Sequence, residues 1–212
     1  MRAMFHRNVM AALFATMLAA GASAQGPAPP AADTPVLLPV VDPAKALEGP
    51  ALVEALRKGG FVLFIRHARQ AGPQEEAPCT HANLAPDSEA QVKRVAAGLT
   101  VLRIPVGLVL ASPVCRALET ARLLGLGEPE ITQDLRLGTP DTPQVHAARA
   151  KRLAQAPPPG ANTLLVSHGQ GSLNPLERMQ LELLEIVVFR PDGRGGSEPV
   201  ARIRIEDWDR LR

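Results

Sequence analysis

Three short, largely apolar runs constrain the fold of this chain more than any other feature. They cover residues 61–65 (FVLFI), 106–112 (VGLVLAS) and 162–167 (NTLLVS), and helical patterns separate them along the chain. A run this apolar is typical of a strand that is buried on both faces of a sheet. Strands that alternate with helices predict an α/β fold, a three-layer α/β/α sandwich around a mostly parallel sheet.

The remaining patterns complete this map. Apolar spacing predicts four helices and turn residues predict loops between them. The expected helices cover residues 50–58, 89–102, 115–124 and 142–155, a loop covers 72–82, and a short edge strand covers 130–135. Two more alternating segments, 184–191 and 199–208, flank an Asp192-Gly193 turn and predict a closing antiparallel pair.

The first 24 residues read as a secretory signal peptide. Basic residues precede an uncharged apolar core, and Ala22-Ser23-Ala24 provides a small-residue cleavage site. The apolar core is shorter than the roughly 20 residues that span a bilayer. We therefore expect a periplasmic or secreted protein with no stable membrane insertion after cleavage. Residues 25–50 hold seven of the 21 prolines and predict a linker before a domain at 51–212.

Charge narrows the range of partners. Cleavage after Ala24 removes two of the 23 basic residues and none of the 21 acidic ones, so 21 of each sign remain. A mature chain without net charge lacks the electrostatic support for general nucleic-acid binding. The sequence does not indicate an oligomeric state.

Two cysteines, Cys79 and Cys115, remain in the mature chain. An oxidising compartment favours a disulfide between them, whereas their spacing alone does not decide the pairing. Zinc is the rival expectation, with Cys79, His81, Cys115 and one more histidine as ligands. No close cysteine or histidine pair of the kind found in zinc sites supports it.

Polar residues follow each of the three buried strands. Arg66-His67 ends the first, Arg116 lies just after the second, and His168 ends the third. Because the carboxyl ends of parallel strands meet at one edge of a sheet, we expect these four side chains to converge. Arginine forks match phosphate oxygens, and a neutral imidazole keeps a lone pair for attack. The residues alone therefore predict a phosphoryl site with a histidine nucleophile.

The same segments resemble the motifs of a known family. The stretches RHA, SPVCRALETA and VSHG, in this order and spacing, are similar to the histidine phosphatase superfamily, the phosphoglycerate mutase-like group. NLAPDSEAQ resembles the family's entry into the following helix. The resemblance extends over roughly residues 61–208. The cysteine positions are most similar to an exported subgroup that includes proteins likened to lipopolysaccharide-core heptose-phosphate phosphatases.

The resemblance implies a role for each matching residue. His67 would attack phosphorus and become a phosphohistidine, which water then hydrolyses. Arg66 and Arg116 would bind the equatorial oxygens, and His168 would donate a hydrogen bond to the same group. Ala68 and Gly169 would line the substrate site. The implied activity is that of a histidine acid phosphatase-type phosphomonoesterase acting on a small phosphoester, such as a sugar phosphate, without metal or cofactor.

Two departures from the family pattern affect the chemistry. Ala68 stands where glycine is usual, a mild change unless the backbone needs a positive φ. Leu137 stands where many relatives carry the glutamate that protonates the leaving group. Four carboxylates are candidates for that role, and the one that begins the next strand is our first choice: Glu185, then Glu182, Glu75 and Glu76.

Other functions stay open at this point. The missing glutamate favours a module that binds phosphate or a phosphoglycan and turns over poorly. A mutase is disfavoured by export, and a zinc hydrolase needs the ligand set above. His146, on a helix beside Arg149, is expected to be solvated rather than functional.

Overall fold

The structure is a computed structural model, and it describes residues 41–136, 143–174 and 177–211. All of these lie in one compact unit that covers residues 33–212. The expected signal peptide and the linker up to residue 40 lie outside the described residues, so their assignment stays a prediction. Among the described helices, none has the length and apolar character that crossing a membrane requires.

The chain forms four helices and eight strands in the described ranges. The helices are α1 (Gly49–Lys58), α2 (Ser88–Val101), α3 (Cys115–Leu124) and α4 (Pro143–Ala154). The strands are β1 (Val62–Arg66), β2 (Val106–Ala111), β3 (Glu130–Ile131), β4 (Asn162–Ser167), β5 (Gln170–Asn174), β6 (Glu177–Gln180), β7 (Ile186–Pro191) and β8 (Ser197–Ile203). Short 3₁₀ helices follow at Gln133–Leu135 and Ile205–Asp209.

Six strands build the main sheet in the order β3-β2-β4-β1-β7-β8. Strands β3, β2, β4 and β1 are parallel, and β7 and β8 add an antiparallel pair at the β1 side. The three strands that carry the predicted site, β2, β4 and β1, are therefore immediate neighbours. The predicted α/β fold with a mostly parallel sheet is confirmed.

Alternation along β1 divides the core between the two faces of the sheet. Leu63 and Ile65 belong to the cluster that contains the apolar residues of α1, α2 and α3. Val62 and Phe64 belong to a second cluster, together with Leu153 of α4. All four β1 side chains are at most 1% exposed. Helices on both faces give the three-layer arrangement that the apolar runs predicted.

Local differences from the sequence expectations are small. The edge strand predicted over 130–135 is reduced to β3, and its second half is the 3₁₀ helix. Likewise β8 ends at Ile203, and the following residues form the second 3₁₀ helix. Helix α1 begins at Gly49, inside the predicted linker, and Leu47 N donates to Val200 O of β8. The β5–β6 hairpin was not predicted.

Candidate active site

The carboxyl ends of β1 and β4 bring the two predicted histidines side by side. Arg66 pairs in register with Ser167, and His67 N donates to Ser167 O at 2.9 Å. The rings of His67 and His168 lie edge to face with their centroids 5.3 Å apart. The register of the parallel β1–β4 pair therefore sets the distance between the two histidines, independently of contacts between their side chains.

His67 is held as a neutral ring with a defined tautomer. Its Nδ1 lies 2.7 Å from the carbonyl oxygen of Ala68, and its Nε2 lies 2.9 Å from Arg116 Nε. Because a guanidinium can only donate, Nε2 is the acceptor and Nδ1 carries the proton. Burial, reinforced by the charges of Arg116 and Arg66, lowers the pKa of His67 to about 4. The Nε2 lone pair is thus available near neutral pH.

His168 is held in the opposite tautomer. Arg116 Nη2 lies 3.2 Å from its Nδ1, and Ser112 Oγ lies 2.9 Å from its Nε2. The guanidinium again donates, so Nδ1 accepts and Nε2–H donates to the serine oxygen. Burial, followed by the charges of His67 and Arg116, lowers the pKa of His168 to about 2. Both histidines are therefore neutral in the empty site.

Arg116 connects the two rings, and its own position is fixed from two sides. Its Nη1 donates to Gln70 Oε1 at 3.2 Å. Its carbonyl oxygen accepts from Thr120 Oγ1 at 2.7 Å, and the same hydroxyl accepts from Ala68 N at 3.0 Å. Thr120 thus joins the first turn of α3 to the backbone that follows His67. These bonds hold a buried cation at a helix N-terminus, where its charge opposes the helix dipole.

Arg66 reaches the site across the backbone of Gly169. Its Nη1 donates to Leu181 O at 2.6 Å. A Cβ at Gly169 would lie 2.3 Å from Arg66 Cδ, so glycine is needed there for the side chain to pass. Within the described residues, the buried Nε of Arg66 has no hydrogen-bond partner. A buried donor without a partner beside two neutral histidines fits an oxyanion site.

The alanine that replaces the usual glycine is tolerated. Ala68 is completely buried, and its φ is negative, because Arg103 and Leu184 are the described non-glycine residues with positive φ. Its methyl group joins the apolar cluster of the α1 to α3 face. This departure from the family pattern therefore leaves the backbone at the site undisturbed.

A disulfide between Cys79 and Cys115 ties the loop after β1 to helix α3. The same contact includes an antiparallel bridge between Glu76 and Val114 and a hydrogen bond from Cys115 N to Glu75 O. The disulfide removes both thiolates that the zinc alternative required. Because Cys115 directly precedes Arg116, the cross-link anchors the loop next to the site.

Glu185, our first choice as proton donor, lies next to the site through its backbone, since its carbonyl oxygen accepts from Arg66 N at 3.2 Å, but its carboxylate is bonded elsewhere. Its side chain is completely buried, and Arg202 Nε and Nη2 contact its Oε1 at 2.7 and 2.6 Å. Its Oε2 accepts from Glu182 N at 2.8 Å. A carboxylate that holds an arginine and a backbone amide in this way is suited to a structural ion pair, so the proton-donor role is not supported.

The other candidate carboxylates differ in their availability. Glu75 accepts a bond from the Asn83 side chain and bonds from the His81 and Thr80 amides; the His81 amide, followed by the other His81 and Thr80 bonds, lowers its pKa. Glu76 is half-exposed and pairs with Arg136 Nε at 2.6 Å. Among the described hydrogen bonds and ion pairs, none joins a carboxylate to the four site residues. Leu137 itself lies outside the described residues.

Sequence reasoning missed several contributors to the site and misjudged His146. Ser112 and Gln70, which hold His168 and Arg116, were not singled out, although Ser112 begins the second quoted motif. The expectation that His146 is solvated was wrong, because it is 4% exposed. Arg149 is equally buried and lies close enough for its charge to lower the pKa of His168. Their three-residue spacing on α4 places both on one face of the helix.

The fold and the site together define an α/β protein that gathers two arginines and two neutral histidines at one edge of its sheet. Comparisons with known proteins agree with this class. The model of the histidine phosphatase superfamily (branch 1) matches residues 62–138, a range that contains Arg66, His67 and Arg116. No curated protein matches the chain.

The chain is similar to solved structures at low sequence identity. The protein histidine phosphatase SixA, complexed with tungstate, is 17% identical with a TM-score of 0.50, and the match covers 69% of this chain and 98% of that one. A phosphoserine phosphatase variant from Entamoeba histolytica, complexed with phosphoserine, is 17% identical with a TM-score of 0.45, covering 69% and 98%. The family model matches less than half of the chain, and the SixA structure shares its fold, so the chain is similar to the histidine phosphatase superfamily over these ranges.

Proposed function

We propose that the protein is a phosphomonoesterase that works through a phosphohistidine at Nε2 of His67. The observation that carries this proposal is the state of that ring. Its Nδ1–H is held by the Ala68 carbonyl, and its Nε2 lone pair faces Arg116. A buried neutral imidazole with an unprotonated nitrogen among arginines is a competent nucleophile for a dianionic phosphoryl group once Arg116 has moved to that group.

The reaction proceeds in two balanced steps. A bond forms from His67 Nε2 to phosphorus while the bond from phosphorus to the leaving oxygen breaks, and the leaving oxygen takes up a proton from the solvent, which the attacking water returns to the solvent in the second step. Water then attacks the phosphohistidine, which releases phosphate and restores the neutral ring. Arg116 must first leave the His67 lone pair, and together with Arg66 it then binds the equatorial oxygens, where charge accumulates in the transition state.

For the substrate, we propose a small phosphoester such as a sugar phosphate, in an exported enzyme of histidine acid phosphatase type. The disulfide supports export, because such cross-links persist in oxidising compartments. The position of the two cysteines supports the subgroup likened to heptose-phosphate phosphatases. The chain has no tyrosine, which weakens the case for aromatic stacking on a sugar.

The test is a screen for phosphate release from sugar phosphates, nucleotides, phosphopeptides and p-nitrophenyl phosphate. We expect release by the parent protein and none above background by His67→Ala. His81→Ala is the matched control, because that histidine is exposed and contacts Thr80 and Glu75 rather than the site. Equal release by the parent and His67→Ala would overturn the proposal. Rapid quenching should also trap an acid-labile phosphohistidine in the parent alone.

A second candidate is a phosphate-binding module on the same fold. It is favoured by the finding that no described carboxylate contacts the four site residues, since leaving-group protonation contributes about 10²- to 10⁴-fold. This function would be identified if the parent protein binds phosphate but releases none from any ester, p-nitrophenyl phosphate included. Release from p-nitrophenyl phosphate would exclude it, because nitrophenolate leaves without a proton.

A further inference from the structure

Ser112 is a buried hydroxyl whose position is set by the sheet. It directly follows β2, and its backbone N donates to Val166 O of β4 at 3.0 Å. Its side chain is completely buried. Its Oγ lies 2.9 Å from His168 Nε2 and accepts from Val114 N at 3.3 Å. Strand pairing and a backbone donor therefore aim one serine lone pair at the histidine ring.

The direction of the bond between Ser112 and His168 follows from the other side of the ring. Arg116 Nη2 lies 3.2 Å from Nδ1, and a guanidinium has donors only. A neutral imidazole has one proton, so the proton must be on Nε2, where it is donated to Ser112 Oγ. The hydroxyl accepts two hydrogen bonds and leaves its own proton for a third partner.

We propose that Ser112 is a positioning residue that fixes the tautomer of His168, so that an unprotonated Nδ1 faces the site and takes up a proton when a phosphoryl group binds. This inference deepens the proposed function and rests on it for the identity of the ligand. It assigns to the second histidine a change of protonation state between the empty and the occupied site.

Ligand binding supplies the reason for proton uptake. A phosphoryl group at His67 draws the donors of Arg116 toward its oxygens, which leaves His168 Nδ1 facing an anion. Two lone pairs that face each other repel, whereas Nδ1–H would donate to the oxygen. The proton comes from the monoanionic form of the ligand or from water. Nε2–H stays bonded to Ser112, so His168 gains one proton and no bond to phosphorus changes.

The groups around His168 keep this proton absent until an anion arrives. Positive charges face it from three elements: Arg66 of β1, Arg116 of α3 and Arg149 of α4. The His67 ring, at the carboxyl end of β1, also opposes a proton on His168. In the empty site, burial and these charges hold the pKa of His168 at about 2. A bound dianion reverses the sign of the local field, so the pKa of His168 rises.

Nitrogen-15 NMR of the histidine rings in the full chain tests both the tautomer of His168 and its proton uptake on ligand binding. In the empty parent at pH 7, we expect His168 to carry its proton on Nε2. On saturation with inorganic phosphate, both nitrogens should carry protons. In Ser112→Ala, a substantial population should carry the proton on Nδ1, and phosphate binding should weaken about tenfold, the loss of one buried hydrogen bond. His67, bonded to the Ala68 carbonyl, is the internal control and should keep Nδ1–H.

Three results would overturn the inference. They are Nδ1–H on His168 in the empty parent, an unchanged tautomer in Ser112→Ala, and a phosphate complex in which Nδ1 stays unprotonated. The tautomer of His168 in the empty parent is measured on the unaltered protein, so that result is decisive even if Ser112→Ala does not fold. Failure to bind phosphate at all would overturn the proposed function together with the proton uptake, whereas the empty-site tautomer would still decide the role of Ser112.

Discussion

Arg116 donates a 2.9 Å hydrogen bond from Nε to the Nε2 lone pair of His67, the same lone pair that attacks phosphorus in the proposed reaction. In the empty site, the cation therefore protects the nucleophile from solvent and holds its ring in place. On binding, the arginine has to exchange this acceptor for a phosphoryl oxygen. Charge and geometry both matter to this exchange, because three donors on three atoms contact three different side chains.

Arg116→Lys separates these two properties. Lysine keeps the positive charge but cannot bond to His67, His168 and Gln70 in one planar arrangement. We expect kcat to fall about 10²- to 10³-fold, the effect of losing a donor that stabilises transition-state charge. Steady-state kinetics with p-nitrophenyl phosphate measures it. Arg69→Lys, at a surface pair with Asp87, is the control and should leave kcat unchanged. A lysine variant as active as the parent would contradict the assignment.

Acid should destabilise the fold through its buried neutral histidines. The pKa of His67 is about 4 in the folded protein, whereas an unfolded histidine titrates near its ordinary value of 6.5. As pH falls below 6.5 the unfolded state gains protons that the folded state does not bind, so the free energy of unfolding decreases. Between pH 7 and pH 4.5, His67 alone should account for about 2 kcal/mol.

Denaturant unfolding of the parent and of His67→Gln at both pH values measures this contribution. The variant should lose less stability than the parent over the same interval, because glutamine does not titrate. Titration of surface carboxylates affects both proteins equally and cancels in the comparison. Equal losses in the two proteins would show that His67 is not held with a lowered pKa.

Gly169→Ala should impair the site through Arg66. The new methyl would lie 2.3 Å from Arg66 Cδ and 2.6 Å from Nε, so the side chain must move. We expect kcat/KM to fall by about tenfold or more, equivalent to about 1.4 kcal/mol of transition-state stabilisation. The check is a double-mutant cycle with Arg66→Ala. If the alanine acts through Arg66, the double variant is no worse than Arg66→Ala, and additive losses would refute this route.

Reduction of the disulfide should destabilise the protein and loosen the loop beside Arg116. Cys79 and Cys115 are 36 residues apart, and closing a loop of that size is worth about 3–4 kcal/mol in the chain-entropy model. We expect a lower melting temperature and a higher KM in dithiothreitol. A Cys79→Ser, Cys115→Ser double variant should show both changes without the reagent and no further change with it. A reagent effect on the double variant would point to another cause.

Glu185→Gln distinguishes a structural carboxylate from a proton donor. The substitution leaves Arg202 beside a neutral group in a buried site, which costs about 3–5 kcal/mol when one partner of a buried ion pair is removed. Activity per folded molecule should stay within about twofold of the parent, since the effect is on stability. Glu182→Gln, at an exposed position, is the control for stability. A selective loss with alkyl phosphates, but not with p-nitrophenyl phosphate, would restore the proton-donor role.

The parts of the site that depend on strand order could be predicted from the sequence. Arg66, His67 and His168 directly follow buried apolar runs, and parallel pairing leaves them one edge of the sheet to occupy. Arg116 could be included because it is the second residue of the helix that follows the second such run. Local pattern and sheet geometry are sufficient for these residues, since no distant partner decides where they lie.

The parts that local sequence patterns did not place depend on partners far along the chain. Glu185 was a reasonable candidate at the start of a strand, but its ion pair with Arg202 arises from β7–β8 pairing across 17 residues. The burial of His146 and Arg149 depends on how α4 packs against the sheet, which their local spacing does not encode. The β5–β6 hairpin lacks the apolar alternation that marks a strand, so no local signal predicted it.

The way Arg116 bridges the two histidines has a consequence for anion discrimination. Without a ligand, two of its donors already bond to the imidazole nitrogens of His67 and His168. The free energy of anion binding therefore reflects only how much stronger the bonds to the anion are than these two. A tetrahedral oxyanion returns several directed acceptors in the geometry of the guanidinium fork. A monatomic halide returns a single centre and would leave displaced groups unsatisfied. The hydrogen-bond network around Arg116 therefore disfavours chloride binding, even where chloride is abundant.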